Sequence, residues 1–372
     1  MTDSGVVVIG MDVSKREILA GVLPGGEGEV RVHRLGHDEP SVRRFIGRFP
    51  DRSRLRVCYE AGPTGYGLFR LLGSMGVTCE VVAPSLIPKR PGERVKTDRR
   101  DARRLAGLYR AGELTPIRVP SPTQEAVRDL CRTRADLLDT RKRTRQQLTS
   151  MLLRHGIVYG ATRWTARHEE WLGSVRFDEP ALTDTLAHYR AALSTMDANL
   201  VAVETDLGGY YDRPPFADGV HRLAAYRGIG YLGALTLTVE VGDWARFPAA
   251  PYFMGFVGLV PSEYSTGDTV WRGKLTKAGN SHLRTQLIES AWAYQHRPRI
   301  GVELSRRHQG IDPATLARSW AAQQRLCRRW RHLASRKHHK GTVAAAVARE
   351  LAGFCWGEMT AEPAPKPWEP PS

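Results

Sequence analysis

The first part of the chain consists of short apolar runs separated by glycine-rich or polar stretches. Several runs have the length and composition of β-strands, and they lie at residues 6–13, 18–23, 30–35, 55–60 and 77–82. Amphipathic stretches at 41–49 and 66–75 predict helices between strands. Strands that alternate with helices in this order predict an α/β domain with a mixed sheet.

The middle of the chain has the pattern of long helices. Residues 124–155 are polar and basic, with a sparse stripe of leucine and methionine. In the next segment apolar residues recur in steps of four and three, at Leu182, Leu186, Tyr189, Leu193, Met196, Leu200, Val203 and Leu207. Such a heptad seam predicts either a helical hairpin within one chain or a coiled coil that joins two chains, and the pattern favours neither.

The rest of the chain reads as mainly helical, with glycine-containing turns. Gly228-Ile229-Gly230 precedes an apolar helix predicted at 234–241. Its backbone N–H groups could hold a phosphate, as in a helix-hairpin-helix turn, but tight helix packing explains the glycines equally well. Residues 258–267 are loop-like, and a further helix is expected at 282–295.

Changes in composition divide the chain into four predicted segments, which cover residues 1–119, 120–212, 213–358 and 359–372. The first is the α/β domain and the second is the long helical segment. The third is the mainly α domain. The last is rich in proline, which predicts a disordered tail.

The charge balance indicates a polyanionic partner. With 55 Lys and Arg against 39 Asp and Glu, the formal net charge is +16. Nucleic acid is the natural candidate, because cations that contact phosphates release counterions. No apolar run approaches the roughly 18 residues that would span a bilayer, so no membrane partner is expected. The cysteines form no CxxC pair and the apolar run at 6–9 is too short for a signal peptide, which predicts a reducing cytoplasm.

Four carboxylates are candidates for one metal site. Asp12 and Glu60 stand at or near the carboxyl ends of predicted strands, the edge at which open α/β sheets bind ligands. Asp98 and Asp101 share one face if their Lys- and Arg-rich segment is helical. Alone, this pair reads as solvated surface charge; together with Asp12 and Glu60, it predicts an acid cluster of the RNase H or RuvC kind. Oxygen ligands of this type suit Mg²⁺, and two ions about 4 Å apart would stabilise the attacking and leaving oxygens of a phosphoryl transfer.

Hydroxyls and glycines beside basic residues predict an anion pocket in the C-terminal part. The cations are Arg272, Lys274, Lys277 and Arg284. A hydroxyl in Tyr264-Ser265-Thr266 is either a simple turn residue or a nucleophile whose attack on a phosphodiester the cations support. Farther along, Trp320 and Trp330 stand among arginines, where they either stack on RNA bases or anchor the core of a helix.

Taken together, these motifs resemble, nearly from end to end, those of the insertion-sequence "one-ten" family of transposases, the DEDD recombinases guided by a bridge RNA. The matching motifs of the first half are Gly10-Met11-Asp12-Val13-Ser14-Lys15, Tyr59-Glu60-Ala61-Gly62 and Lys96-Thr97-Asp98-Arg99-Arg100-Asp101-Ala102. Those of the second half are Gly228-Ile229-Gly230, Gly258-Leu259-Val260-Pro261, Tyr264-Ser265-Thr266-Gly267 and Thr276-Lys277-Ala278-Gly279-Asn280. They follow one another in the family's order.

The resemblance implies a RuvC-like N-terminal domain, a long coiled-coil segment and a mainly α C-terminal transposase domain that bears a catalytic serine. The four carboxylates would hold Mg²⁺, and Ser265 would form a 5′-phosphoserine link to DNA. Family members commonly carry a second serine where this chain has Thr266, so Thr266 is the alternative nucleophile. Lys96, Arg99 and Arg100, with the cations of the C-terminal pocket, would contact the nucleic-acid backbone.

The resemblance also implies partners. A non-coding bridge RNA would pair with target and donor DNA, so that the protein needs backbone and shape contacts more than base readout. Family members act as tetramers, in which one protomer's acids work with another's serine, so a homo-oligomer, dimer to tetramer, is expected. A cytoplasmic, nucleoid-associated location in a bacterium is expected. The alternative function is a RuvC-like metal-dependent nuclease or junction resolvase that activates water and forms no serine intermediate.

Overall fold

Two units make up the chain, Met1–Pro120 and Ser121–Ser372. The computed structural model describes residues 5–26, 28–88, 97–266, 269–336 and 339–362. The finer division of the second unit into a helical segment and a C-terminal domain stays a prediction. The predicted tail, 359–372, lies outside the described residues from 363 onward, and its first residues still belong to a helix that ends at Thr360.

The first unit alternates strands with helices in the predicted order. Its strands are β1 (Val7–Val13), β2 (Glu17–Leu23), β3 (Arg31–Gly36), β4 (Leu55–Glu60) and β5 (Thr78–Val82). Its α-helices are α1 (Glu39–Ile46), α2 (Gly67–Ser74) and α3 (Asp98–Arg110), and short 3₁₀ turns lie at Arg52–Arg54 and Pro84–Leu86. The strands and helices predicted in this part of the sequence are therefore confirmed, with ends that differ by a few residues.

β1 is the centre of a five-stranded sheet with the order β3-β2-β1-β4-β5. It pairs antiparallel with β2 and parallel with β4, and β5 continues the parallel side. A sheet with both kinds of pairing confirms the mixed α/β architecture that the alternating pattern predicts.

Successive residues of β1 face opposite sides of this sheet, and helices cover both sides. Ile9 and Met11 lie in a core to which α1 contributes Phe45. On the other side, Val8 packs with Ala106 of α3. Because both faces of β1 are buried, the strand is a nearly continuous apolar run rather than an alternating one.

Two glycines allow α3 to lie directly on the sheet. A Cβ added at Gly10 would stand 2.8 Å from the carbonyl oxygen of Ala102, and one at Gly21 would stand 2.6 Å from the same oxygen. Both distances are well inside van der Waals contact, and the atom that would be met is helix backbone, which cannot rotate away. Only glycine therefore permits this approach of α3 to β1 and β2.

The second unit is mostly helical. Its α-helices are α4 (Pro122–Arg154), α5 (Ala166–Ser174), α6 (Pro180–Gly208), α7 (Ala217–Ala224), α8 (Tyr231–Val241), α9 (Ala250–Phe256), α10 (Ser281–Ala291), α11 (Val302–Arg307), α12 (Pro313–Ala334) and α13 (Lys340–Thr360), with a 3₁₀ turn at Trp292–Gln295. Among the described residues, none of the helices is long and apolar enough to cross a membrane.

A two-stranded hairpin, β6 (Pro261–Thr266) and β7 (Thr269–Leu275), interrupts these helices. The sequence predicted a loop at 258–267, and this prediction was wrong. Most of the hairpin's described side chains are exposed, including Trp271 at 60%. None of the hairpin's described side chains is deeply buried. Accordingly, no alternation of apolar and polar residues marked these strands in the sequence.

α4 and α6 pack against each other as an antiparallel hairpin within the chain. The buried residues of α6 are spaced seven apart, at Leu186, Leu193, Leu200 and Leu207. Ion pairs of 2.7 Å join Arg134 to Glu204 and Arg141 to Asp197, which fixes the antiparallel register. Intramolecular pairing therefore accounts for the heptad seam, and a coiled coil between chains stays a prediction.

The two tryptophans of the basic region differ in their surroundings. Trp330 is buried in the core formed by the C-terminal helices, and its ring centroid lies 5.5 Å from that of Trp292. Trp330 is therefore a core anchor, as one of the two interpretations predicted. Trp320 is 37% exposed on α12.

The Gly-x-Gly turn before α8 is closely packed against protein. Gly228 has φ 84°, and an added Cβ would collide with the carbonyl oxygen of Ser290. Arg307 donates a hydrogen bond to the carbonyl oxygen of Ala224 at 2.7 Å, just before the same turn. Tight helix packing, rather than a phosphate site, thus explains the glycine at 228.

Candidate active site

Asp12 and Glu60 occupy neighbouring positions at the carboxyl edge of the sheet. Met11 of β1 is level with Tyr59 of the parallel strand β4. The next residues along the two strands are Asp12 and Glu60, and adjacent strands lie about 4.8 Å apart. Both side chains are half-buried. The sheet therefore brings these two predicted carboxylates together.

Both carboxylates face the side of the sheet that carries α3. Gly10, two residues before Asp12, is the residue against which α3 packs. Cys58, two residues before Glu60, has its Sγ 3.8 Å from the carbonyl oxygen of Leu105 in α3. Because side chains two apart on a strand share a face, Asp12 and Glu60 face α3 as well.

α3 brings its first turn to the same edge. Its last residue, Arg110, donates a hydrogen bond to the carbonyl oxygen of Leu23 at 3.2 Å. Leu23 is level with Val8, near the amino end of β1. The helix therefore runs antiparallel to β1, and its N-terminus lies toward the edge that holds Asp12.

Asp98 and Asp101 lie in that first turn, on the side of α3 that faces the sheet. Each stands four residues before a buried residue, Ala102 and Leu105 respectively. Asp98 is exposed and Asp101 is half-buried. Oδ2 of Asp101 is buried and has no hydrogen-bond partner in the described part of the chain. Since the positive end of the helix dipole favours acids here, the helix tolerates this pair.

These positions fit a divalent metal site in chemistry and orientation, but they do not form a closed set of ligands. Carboxylate oxygens are the donors that Mg²⁺ prefers, and the orphaned Oδ2 of Asp101 is an acceptor that a cation would satisfy. Within the described residues, however, no group of three or more His, Cys, Asp or Glu side chains is close enough to hold a metal ion.

Ser265 lies near the tip of the hairpin in the second unit, on an exposed strand. It is level with Val270 of β7. Its hydroxyl donates a hydrogen bond of 2.7 Å to Oε1 of Glu263. Glu263 and Ser265 share a face of β6, whereas Thr266, one residue on, belongs to the opposite face. Sequence reasoning missed Glu263, because its spacing of two from Ser265 carries meaning only once the segment is known to be a strand.

A close crossing of backbones anchors the base of this hairpin. Gly258 has φ 67° and Gly279 has φ 74°. An added Cβ would collide with the carbonyl oxygen of Ala278 at Gly258 and with that of Phe256 at Gly279. The backbone N–H of Asn280 donates to the Phe256 carbonyl at 3.2 Å. Two of the glycine motifs therefore hold the start of β6 and the end of β7 against α9.

A buried carboxylate, Glu240 of α8, ties this base to α4. The Glu240 side chain is 1% exposed and accepts hydrogen bonds from Arg132 Nε and Nη2 at 2.7 and 2.9 Å. Asn280 Nδ2 donates to it at 2.7 Å, while Asn280 Oδ1 caps α10. Burial acts to raise the pKa of Glu240, but the hydrogen bonds and charge of Arg132, with Asn280, leave this pKa below its ordinary value. Sequence reasoning missed Glu240 because it is a lone acid in an apolar helix.

The predicted nucleic-acid contacts have different surroundings. Several are exposed side chains: Arg99 and Arg100 on α3, and Lys274 and Lys277 near the hairpin. Arg284 donates to the carbonyl oxygens of Val257 and Ala278 at 3.1 and 3.3 Å, so it braces the loop beneath the hairpin. Lys96 and the side chain of Arg272 lie outside the described part of the chain.

Comparison with known proteins gives two family models that match this chain. A transposase model named DEDD_Tnp_IS110 matches residues 9–157, which include the four candidate carboxylates. A second model, described as "Transposase IS116/IS110/IS902 family", matches residues 220–303, which include Ser265.

Whole-length relatives agree with these models. Over 352 residues the chain is 44% identical to the putative transposase y4qE of Sinorhizobium fredii, which covers 94% of this chain and 87% of that protein. Over 335 residues it is 31% identical to the transposase for insertion sequence element IS1533 of Leptospira borgpetersenii, and the match covers 88% of this chain and 96% of that protein. A probable family 20 transposase of Pseudomonas aeruginosa is 24% identical over 367 residues, with coverage of 96% and 98%.

Proposed function

The chain belongs to the IS110 family of insertion-sequence transposases and so cuts and joins DNA; we propose that it does so through a covalent phosphoserine intermediate at Ser265. We further propose that Mg²⁺ serves the carboxylates of the first unit and that a bridge RNA selects target and donor DNA. The observation that carries the proposal is the hydrogen bond from the Ser265 hydroxyl to the Glu263 carboxylate, at an exposed hairpin that DNA can reach.

Ser265 is the proposed nucleophile. Its Oγ attacks a phosphorus atom of the DNA backbone while its proton passes to Glu263, which already accepts that proton's hydrogen bond at 2.7 Å. The bond from phosphorus to the 3′ oxygen breaks, leaving a 5′-phosphoserine and, once the oxygen takes up a proton from water, a free 3′ hydroxyl. When a 3′ hydroxyl from another strand attacks the phosphoserine, it loses its proton to water and the phosphodiester is restored. The bond from phosphorus to Ser265 Oγ breaks, and this oxygen recovers its proton from Glu263. Each step exchanges one ester for another, so no external energy source is needed.

Asp12, Glu60, Asp98 and Asp101 are the residues proposed to hold the divalent cations, in a RuvC-like arrangement with which the sheet order is consistent. Bound Mg²⁺ would stabilise the charge that develops on the phosphoryl oxygens. The chain's own part is to hold the carboxylates at one edge and on one face. Gly10 and Gly21 do this by letting α3 lie on the strands.

Nucleic acid is the proposed partner of the exposed cations on both units. A net charge of +16 supports binding to phosphate backbones, and binding of that kind leaves sequence choice to base pairing with the bridge RNA. The active form is proposed to be a dimer to tetramer, in which one protomer's carboxylates act with another's Ser265.

The test is a strand-cleavage assay on DNA that contains the element's ends, with Mg²⁺ and the RNA that co-purifies with the protein. Denaturing gels separate protein-linked DNA from free fragments. The natural protein and Thr266→Ala are expected to give protein-linked DNA. Ser265→Ala is expected to give none, and Asp12→Asn is expected to give neither linked DNA nor cleavage. If Ser265→Ala still cuts DNA and releases free fragments, the protein is a metal-dependent nuclease without a serine intermediate.

A further inference from the structure

A basic cavity of about 410 Å³ lies within the second unit, away from the hairpin that carries Ser265. One wall is a stripe of α4, which contributes Arg141, Lys142 and Arg145. The facing wall is the segment just before α5, which contributes Arg163 and Trp164. The strand-exchange chemistry proposed above uses none of these residues.

The cations of this cavity are only partly neutralised. Arg141 and Arg145 are one turn apart on α4, with Lys142 beside them, so all three face the same side. Arg141 is paired with Asp197 at 2.7 Å. No ion pair within the described ranges involves Lys142, Arg145 or Arg163. The side chains of Lys142 and Arg163 are exposed. The cavity therefore has more positive than negative charge.

Arg145 is held facing the cavity with an unmet hydrogen-bonding group. Its guanidinium carbon lies 4.7 Å from the centroid of the Trp164 ring. Its Nε is buried and has no hydrogen-bond partner among the described residues. Burial, together with the charge of Arg141, lowers the pKa of Arg145, although acids at Glu169 and Asp197 oppose this. A guanidinium remains charged, so an anion with several acceptor oxygens would satisfy it.

Trp164 is in an unusual backbone conformation at the place where it contacts Arg145. Its φ is 65°, in the left-handed region that bulky residues rarely occupy. The indole ring also packs edge-on against the ring of His168, with centroids 4.9 Å apart. A strained residue that is fixed on one side and holds a cation on the other is typical of a site that positions a ligand group.

We propose that this cavity binds a backbone phosphate of a nucleic-acid strand, with Lys142, Arg145 and Arg163 as its ligands and Trp164 as a positioning residue. The inference rests on the proposed function, because the phosphate then belongs to the RNA or the DNA on which the transposase acts. A phosphodiester carries one negative charge shared by two non-bridging oxygens, which suit a charged fork and two exposed cations. It makes the α4–α5 region a nucleic-acid contact in addition to the two catalytic regions.

Binding by the full-length protein to a labelled single-stranded RNA and to a labelled DNA duplex tests this, by fluorescence anisotropy over a series of salt concentrations. Lys142→Gln/Arg163→Gln is expected to weaken binding to at least one probe about tenfold. The slope of the logarithm of the association constant against the logarithm of the salt concentration should become shallower. The expected change is about 0.7 for the single strand or about 0.9 for the duplex, which corresponds to the loss of one phosphate contact. The probe that is affected identifies the source of the phosphate.

The matched control is Arg143→Gln/Arg154→Gln, which removes the same charge from exposed positions of α4 outside the cavity. If the two double variants lose equal affinity and equal slope, net charge alone is responsible and the cavity proposal is overturned. Trp164→Ala should weaken binding to the same probe that Lys142→Gln/Arg163→Gln affects. Unchanged binding by Trp164→Ala would show that Trp164 is not a positioning residue. If the natural protein binds neither probe, it is the proposed nucleic-acid function that fails.

Discussion

The two regions that carry the candidate chemistry are held in place by opposite means. The carboxylate edge of the first unit depends on burial, since α3 lies backbone to backbone on β1 and β2 at Gly10 and Gly21. The hairpin of the second unit is exposed where Ser265 lies, and its fixed contacts are at its base. There, glycine crossings and the Glu240–Arg132–Asn280 hydrogen bonds tie it to α8, α9 and α4.

This difference suits the two tasks. Metal ligands must be held within a fraction of an ångström of the productive geometry, which buried packing on a sheet provides. A nucleophile that must reach DNA has to be exposed, so its precision can come only from anchors farther along the strands. Substitutions that damage the two regions are therefore expected to act through different forces. These are steric overlap in the first region and, in the second, loss of the charge partner of a buried carboxylate.

The largest effect is expected at the Arg132–Glu240 pair beneath the hairpin, in which the carboxylate is buried and the arginine side chain is 38% exposed. Arg132→Met leaves the Glu240 carboxylate, 1% exposed, without its charged partner. Breaking such a pair costs about 3–5 kcal/mol, so the free energy of unfolding should fall by about that amount in denaturant titrations. Strand transfer should fall as well, because Asn280 and the base of the hairpin lose their anchor.

The matched control is Arg134→Met, two residues along the same helix. Arg134 pairs with Glu204 at 2.7 Å, but both side chains are partly exposed, at 28% and 38%. Removal of this pair should cost no more than about 1 kcal/mol. Equal losses in the two variants would show that Glu240 is not the anchor of the hairpin's base.

At the carboxylate edge, the sharpest change is Gly10→Ala. The added methyl group would overlap backbone atoms of Ala102 and Ala106, so α3 must shift. Overpacking of this kind costs about 1–3 kcal/mol, and displacement of the acids should lower the cleavage rate by roughly a hundredfold. Gly107→Ala on α3, where an added Cβ meets no atom within 4 Å, should instead leave activity intact and raise stability by about 0.5–1 kcal/mol. Normal cleavage by Gly10→Ala would contradict the role given to α3.

Much of the first region could be predicted from the sequence, and little of the second. Asp12 and Glu60 end apolar strands, and Asp98 and Asp101 share the spacing of one helix face; both signals arise because the elements are buried and periodic. Gly10 and Gly21 both lie against one carbonyl group of α3. This contact joins residues that are far apart in the chain, so no local pattern in the sequence predicts it. The hairpin and Glu263 could not be predicted because exposed strands lack alternation. Glu240 could not be predicted because it is a lone acid in an apolar helix.

A smaller effect is expected from Glu263→Gln. The amide can still accept a hydrogen bond from Ser265 but cannot take up its proton, so the rate of adduct formation should fall by roughly ten- to a hundredfold. Single-turnover rates of adduct formation provide the check. An unchanged rate in the variant would assign the proton to another acceptor.

The smallest effect concerns acid stability of the second unit. The pKa of Glu240 and of Glu358, which accepts from Arg318 at 2.7 Å, is lowered although burial acts to raise both. Their contribution is therefore complete above the ordinary glutamate pKa of about 4.3 and is lost as the pH falls through the lower values of the folded state. Denaturant titrations at a series of pH values should show that decline in the free energy of unfolding. In Arg132→Met, burial prevails at Glu240, so the contribution of Glu240 to the pH dependence of stability should change sign. An unchanged pH dependence would contradict the assignment.

The most direct measurement locates the covalent bond itself. Protein-linked DNA from the cleavage reaction is digested with nuclease and protease, and mass spectrometry identifies the residue that retains the phosphate. The phosphate is predicted on Ser265, the β6 residue whose hydroxyl is hydrogen-bonded to Glu263. A phosphate on Thr266, or cleaved DNA with no protein-linked phosphate, would contradict the central claim that this hairpin supplies the nucleophile through Ser265.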